Sequence, residues 1–205
     1  MNDHLTILHY VRINKTKAEK DNTPLLSSTA GWQPDEWYRA LEHPYLKFFK
    51  MDVLSKWAWL GAEILLSKQA KQEGFIYEGL DKNKIGVVLM TTQGCLEVDK
   101  KYLQTVSQIA SPALFVYTLP NIMLGEICIR HGFKGEQLSQ VTDGFDGESI
   151  QFWVNDLMKN KDVDACLCGY VDATDAGADL CLFWIEKNKQ GVAFTAAHLE
   201  TLYKQ

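Results

Sequence analysis

The run Ile85-Gly86-Val87-Val88-Leu89-Met90 is wholly apolar and rich in β-branched side chains. A strand with one wet face alternates apolar and polar residues. One with no alternation is buried on both faces, as in the middle of an α/β sheet. Outward from it, Asp52 to Lys68 places Val53, Trp57, Leu60, Gly61, Ile64 and Leu65 on one helical face. Glu97 to Ala110 repeats the pattern with Tyr102, Leu103, Val106 and Ile109, and Ser111-Pro112 breaks it. Further on the spacing predicts a helix over Asn121 to His131, a strand over Leu138 to Thr142 and a turn over Asp143 to Gly147. A helix follows over Glu148 to Lys159, with Ile150, Trp153, Val154, Leu157 and Met158 in register. Ala165 to Val171, Leu180 to Ile185 and His4 to Ile13 read as strands. Alternating strands and helices around apolar central strands predict an α/β fold, a layered sheet with flanking helices. No repeat or linker divides the chain, so residues 1–205 are expected to form one domain.

Between the first strand and the first long helix lies a less regular region. Lys15 to Asn22 is charge-rich and is expected to be a solvated loop. The following stretch holds Trp32, Trp37, Tyr38, Tyr45, Phe48 and Phe49, and Pro34-Asp35-Glu36 is suited to open a short helix. These aromatics either cover a core edge or form an exposed patch for a partner.

Composition narrows the function classes. The chain has 205 residues, 46% of them apolar and 23% charged, and a net charge of −5, an ordinary globular balance. A mild acid excess argues against non-specific binding to nucleic acid or anionic membrane. Met1-Asn2-Asp3-His4-Leu5 lacks the pattern of a signal peptide. Tyr102 to Gly125 carries no formal charge, but Gln104, Ser107, Gln108, Pro112, Pro120 and Asn121 interrupt it, so membrane insertion is not expected. Five cysteines without disulfide-framework spacing suit a reducing, cytoplasmic home.

Most motif searches return nothing: no glycine-rich dinucleotide loop, no phosphate loop, no paired zinc histidines. The five histidines are scattered, and no cofactor or metal is expected. Cys166 and Cys168 share a strand face, as buried thiols or a soft-metal pair lacking its second half. Asp172, Asp175 and Asp179 are turn-capping acids or, off the calcium-loop spacing, cation ligands. The turn Val141-Thr142-Asp143-Gly144-Phe145-Asp146-Gly147 joins a strand to a strong helix, where many folds place a nucleophile. Its tip has no Ser, Cys or Lys. Thr142 is the nearest hydroxyl, and Asp143 or Asp146 would cap the helix.

The order of these pieces resembles the amino-terminal half of the β-ketoacyl-acyl-carrier-protein synthases, which have the thiolase-like fold. Phe49-Lys50-Met51-Asp52 looks like the family's "R-M-D" start of a helix, and Lys84 to Leu89 like its "R-x-G-V-V-x" strand. Ser111 to Val116, Leu119-Pro120-Asn121 and Gly125 to Ile129 look like "S-P-x-x-F-V…P-N…G-x-I-x-I". Gly132 to Gly135 matches "G-x-x-G", and Asp164 to Asp172 resembles "A-D-x-x-L-x-G-G-x-E". Residues 15–48 depart from the pattern as an aromatic-rich insertion. Counted from Gly135 without a gap, the family's nucleophilic cysteine falls on Gly144, which cannot carry an acyl thioester. The family's histidine pair, or histidine and asparagine, comes from a second half that this chain, ending at Gln205, is expected to lack.

The resemblance therefore implies the short chain-length-factor branch, a pseudoenzyme of acyl-carrier-protein-dependent fatty acid, aryl polyene or pigment pathways. Its implied partners are an active ketosynthase, or a second copy in a self-dimer, and an acyl carrier protein. Leu138, Ser139, Gln140 and Val141 would be the dimer edge strand. Phe145, Phe152 and Trp153 would be bulky plugs in the partner's acyl tunnel. Two other readings stay open: an acyl-thioester transferase or hydrolase using Thr142, Asp143 or Asp146, and a simple acyl- or carrier-binding module.

Overall fold

In the computed structural model, residues 4–25, 33–68 and 74–205 are described. Trp32, one of the aromatics of the insertion, lies outside them. The elements run β1 (Leu5–Ile13), β2 (Ala18–Lys20), β3 (Thr23–Pro24), α1 (Pro34–Leu41), a 3₁₀ turn (Leu46–Lys50), α2 (Val53–Leu66) and β4 (Ile85–Thr91). Then follow α3 (Leu96–Val106), α4 (Pro112–Phe115), a 3₁₀ turn (Val116–Thr118), α5 (Ile122–His131) and β5 (Gln137–Val141). The chain finishes with α6 (Gly147–Asn160), β6 (Ala165–Thr174), β7 (Gly177–Lys187), β8 (Val192–Ala193) and α7 (Ala196–Lys204).

β4 lies between β5 and β6, parallel to both, and all of its residues are buried. The sheet order is β3-β2-β1-β7-β6-β4-β5, with β8 beside β1. β7 runs antiparallel to β6 and to β1, so the sheet is mixed and β5 is one of its edges. Alternate residues of β4 feed two cores, as the strand period requires. Val87 and Leu89 join α2 and α5 on one face. Val88 and Met90 join α6, α7, Cys166, Cys168 and Cys181 on the other. Helices thus cover both faces of one sheet, as the thiolase-like reading expects.

β6 and β7 approach so closely at Gly169 that no side chain fits. Its φ is +145°, and a Cβ there would lie 2.1 Å from the Cys181 carbonyl oxygen.

Three expectations are corrected. The charged stretch 15–22 is not all loop, since β2 pairs with β1. Its Glu19 is buried and accepts the Tyr10 hydroxyl, while Lys20 donates to the Ile64 carbonyl at the end of α2. Long-range partners outweigh the local charge density. α2 is buried on nearly its whole circumference rather than along one face, because the aromatic insertion covers its far side. The Trp59 ring stacks on Tyr45 at 5.5 Å and packs on Phe48 and Tyr38, while Trp37 meets Trp57 edge-on. Trp37 and Phe48 are themselves buried, so this part of the insertion builds core. Finally, α3 ends at Val106 rather than Ala110, and Leu103, Val106 and Ile109 face solvent.

Two ion pairs, Asp35–Lys56 and Lys47–Glu126, and the His43–Glu63 hydrogen bond clamp the insertion down. Glu63 is completely buried. It accepts His43 Nδ1 at 2.6 Å and Arg130 Nε at 2.5 Å, and these hydrogen bonds hold its carboxyl below the usual range against the opposing cost of burial.

Candidate functional site

β5 delivers the chain to the turn at Thr142–Asp146, and α6 starts behind it. Thr142 N–H donates to the Thr91 carbonyl at 2.9 Å, so the turn sits at the carboxyl ends of the parallel strands. In open α/β sheets that end is where ligands are bound. The Thr142 hydroxyl donates to the Gly144 carbonyl at 2.7 Å. Asp143 is exposed. Asp146 is the N-cap that the sequence suggested: its carboxylate accepts the Ser149 N–H at 2.9 Å and the Ser149 hydroxyl at 2.6 Å. Those bonds hold its carboxyl below the usual range.

A second carboxylate reaches the same helix end. Glu200 of α7 accepts the Gly147 N–H at 3.2 Å. Two acids therefore occupy amides at the positive end of α6. Gly144 itself faces open space, since a Cβ there would meet nothing within 4 Å. Room exists for a side chain, and the chain supplies none.

The aromatic residues around the turn divide. Phe145 stacks on Tyr203 of α7 at 4.2 Å, with Tyr170 and Phe183 edge-on to it. Tyr203 is fixed in turn: its hydroxyl donates to Asp179 at 2.7 Å, and its ring and carbonyl receive Arg12, which also pairs with Asp179. Trp153 lies on α6 and its Nε1 donates to Gln140 Oε1 at 2.9 Å, tying helix to edge strand. Phe152 is exposed, as is Val141 at the end of β5. Leu138, Ser139 and Gln140 are half-buried along that edge.

None of the five cysteines lies in the turn at 142–147. All are free and buried, and burial pushes Cys95 and Cys128 up to about 12 and Cys166, Cys168 and Cys181 higher than their ordinary value. Cys166 and Cys168 are core thiols. The acids read as a cluster are spent separately. Asp172 accepts the Gln93 N–H at 2.8 Å, Asp175 pairs with Lys101, and Asp179 with Arg12. Among the described residues no three His, Cys, Asp or Glu side chains converge to hold a metal ion. A cavity of 560 Å³ lies between α1, α2 and α3, lined by Arg39, Lys50, Lys56 and Lys101 among others, and residues 137–147 do not reach it.

Sequence reasoning missed α7 altogether, and with it Glu200 and Tyr203. Thr195 was the available signal: its hydroxyl accepts the His198 N–H and caps the helix.

No protein-family model matches the sequence, and no curated protein sequence does either. Solved structures do match its backbone. The ishigamide ketosynthase/chain length factor superposes with a TM-score of 0.64 at 16% identity, over 93% of this chain and 64% of that one. The fold is that of a ketosynthase. The complex of the ketosynthase ApeO with its chain length factor ApeC from Xenorhabdus doucetiae gives a TM-score of 0.61 at 14% identity, covering 98% of this chain and 90% of the other. A β-ketoacyl synthase from Burkholderia phymatum gives 0.61 at 11% identity, over 90% and 59%. The chain thus spans a little under two-thirds of the ishigamide protein. Among the described residues no single helix is long and apolar enough to cross a membrane.

Proposed function

We propose that this chain is a catalytically silent, ketosynthase-like subunit of the chain-length-factor kind. It acts in carrier-protein-dependent fatty acid, polyene or pigment synthesis by pairing with an active ketosynthase in the cytoplasm. The observation that carries this reading is the turn at the start of α6. Gly144 stands at the position of the family's cysteine, and the neighbouring amides of Gly147 and Ser149 are already occupied by Glu200 and Asp146. A turn whose tip carries no thiol cannot hold an acyl thioester there.

The pairing surface is β5, Leu138 to Val141, an uncovered parallel edge ready to extend into a partner's sheet. Phe145, Phe152 and Trp153 supply bulk beside it. The matched structures support this assembly by what they contain: a ketosynthase with its chain length factor, and a type II polyketide acyl carrier protein in complex with its ketosynthase. The hydrogen bonding of Thr142 and Asp146 supports silence over a transferase or hydrolase built on them. One spends its hydroxyl on the Gly144 carbonyl, the other its carboxylate on the cap.

Co-expression with each ketosynthase of the source genome tests the reading. A one-to-one complex that Ser139→Pro abolishes is expected, because proline removes an edge amide. A wild-type chain that stays monomeric in the ketosynthase's presence would overturn the assignment. So would turnover of acyl-pantetheine thioesters by the isolated chain that Asp146→Asn abolishes.

A further inference from the structure

Between the β2–β3 hairpin, α1 and the end of α2 lies a cavity of 500 Å³. Small-molecule sites run from roughly 300 to 1,000 Å³ and are mostly apolar, with a few convergent polar groups. Leu25, Trp37, Leu41 and Ile64 give this cavity apolar walls. Most of the polar side chains that line it are already satisfied. One oxygen of Asp21 accepts the Tyr10 N–H at 2.8 Å, and the other meets the His9 ring at 2.7 Å. The Ser67 hydroxyl donates to the Glu63 carbonyl at 2.6 Å, and Lys68 pairs with Glu78 at 2.7 Å.

Lys20 and Thr23 are different. They stand opposite one another in the β2–β3 pairing, so their side chains leave the hairpin on one face, and both line the cavity. A lysine ammonium carries three N–H donors. Two of those on Lys20 reach the Ile64 carbonyl, at 2.9 Å, and the Ser67 carbonyl, at the end of α2. The third makes no hydrogen bond among the described residues, and neither does the Thr23 hydroxyl. Burial holds the Lys20 ammonium below the usual lysine range, against the pull of Asp21, as befits a donor cut off from water.

The charges around these two donors already balance. Lys20 answers both Asp21 and the negative end of α2, and Lys68 answers Glu78. A ligand that brought its own ion would upset that balance and lose its hydration against apolar walls. An uncharged chain ending in an oxygen acceptor does neither. Its carbons meet the walls, and its oxygen takes the two donors left over. We propose that this cavity binds an uncharged, single-chain carbonyl compound of medium length, a ketone or an ester, with its oxygen between Lys20 Nζ and Thr23 Oγ1. The site uses no residue of β5 or α6 and stands apart from the pairing with a ketosynthase.

Titration calorimetry of the full chain tests this, with methyl octanoate as the probe and octanoate as its anionic counterpart. The wild-type protein is expected to bind a single ester per chain, and to bind octanoate at least ~10-fold more weakly. Thr23→Val removes one donor and leaves the Lys20 contacts with α2 in place. It is expected to weaken the ester about fivefold, the worth of one neutral hydrogen bond. Leu41→Trp fills the cavity and is expected to abolish binding at an unchanged denaturation midpoint. Three results overturn the proposal. The first is an ester that shows no saturable binding to the wild-type chain. The second is wild-type affinity for the ester in folded Leu41→Trp or Thr23→Val protein. The third is octanoate bound as tightly as the ester, which would make the site one for anions.

Discussion

Glu200 on α7 accepts the backbone N–H of Gly147 at 3.2 Å, joining the last helix to the first turn of α6. Asp146 accepts from the next turn-forming amide, that of Ser149. Each removal leaves a helix-end donor to water, so Asp146→Ala is expected to cost about 1 kcal/mol and Glu200→Ala about half that. Urea denaturation midpoints check both. If the acids are structural, neither loss is accompanied by a loss of ketosynthase binding beyond what the unfolded fraction explains.

Glycines 144 and 169 should answer substitution in opposite ways. A Cβ at Gly144 enters open space, whereas one at Gly169 falls 2.1 Å from the Cys181 carbonyl oxygen. Gly144→Cys is expected to change stability by less than ~0.5 kcal/mol and to add one fast-reacting thiol to a protein whose five native cysteines alkylate slowly. Gly169→Ala is expected to cost roughly 3 kcal/mol or more, or to prevent folding, because the strands must separate. Mass spectrometry after iodoacetamide treatment reads the first, and soluble yield with thermal melting the second.

Removing the Glu63 charge strands its partners. Glu63→Leu leaves the Arg130 guanidinium and the His43 ring facing a carboxylate that is no longer there. Breaking a buried pair from one side typically costs 3–5 kcal/mol. The expected result is a large fall in the denaturation midpoint, together with faster proteolysis within residues 34–50, which Glu63 and Glu126 hold in place.

Acid sensitivity should trace to His131. Burial brings its ring down to about 4 from an ordinary 6.5, and its Nδ1 lies 3.0 Å from the Tyr77 hydroxyl. Between those values the unfolded chain binds a proton that the folded chain refuses, so stability falls as pH drops from about 6.5 towards 4, by up to ~1.4 kcal/mol per pH unit. His131→Gln is expected to flatten that slope in denaturation series at pH 7, 6 and 5. An unchanged slope would remove His131 as its source.

The parts of this fold legible in the sequence are those whose environment is uniform. β4 reads correctly because a strand buried on both faces has no alternation to misinterpret, and Asp146 because a cap acts within three residues. The rest depended on partners distant in sequence. α2 and α3 carry the same periodic stripe, yet the insertion encloses one while nothing among the described residues covers the other. Periodicity reports a face that needs burying, not what will bury it. Glu19 hid a strand because its charge is satisfied by Tyr10 and Lys17, and α7 escaped because only Leu199 on it is buried. Of the candidate site, the Asp146 cap was legible in advance, whereas the Glu200 carboxylate and the Tyr203 ring that close around the turn come from α7 and were not.

The pairing of β1 with β7 sets Leu5 opposite Lys187. β1 thus waits for a neighbour far downstream of it, and the middle of the sheet cannot zip shut until β7 has left the ribosome. Such non-local closure makes folding slow and leaves sticky strands exposed in the interval. Steady-state abundance of this protein should therefore respond to chaperone supply during translation more sharply than its final stability would suggest.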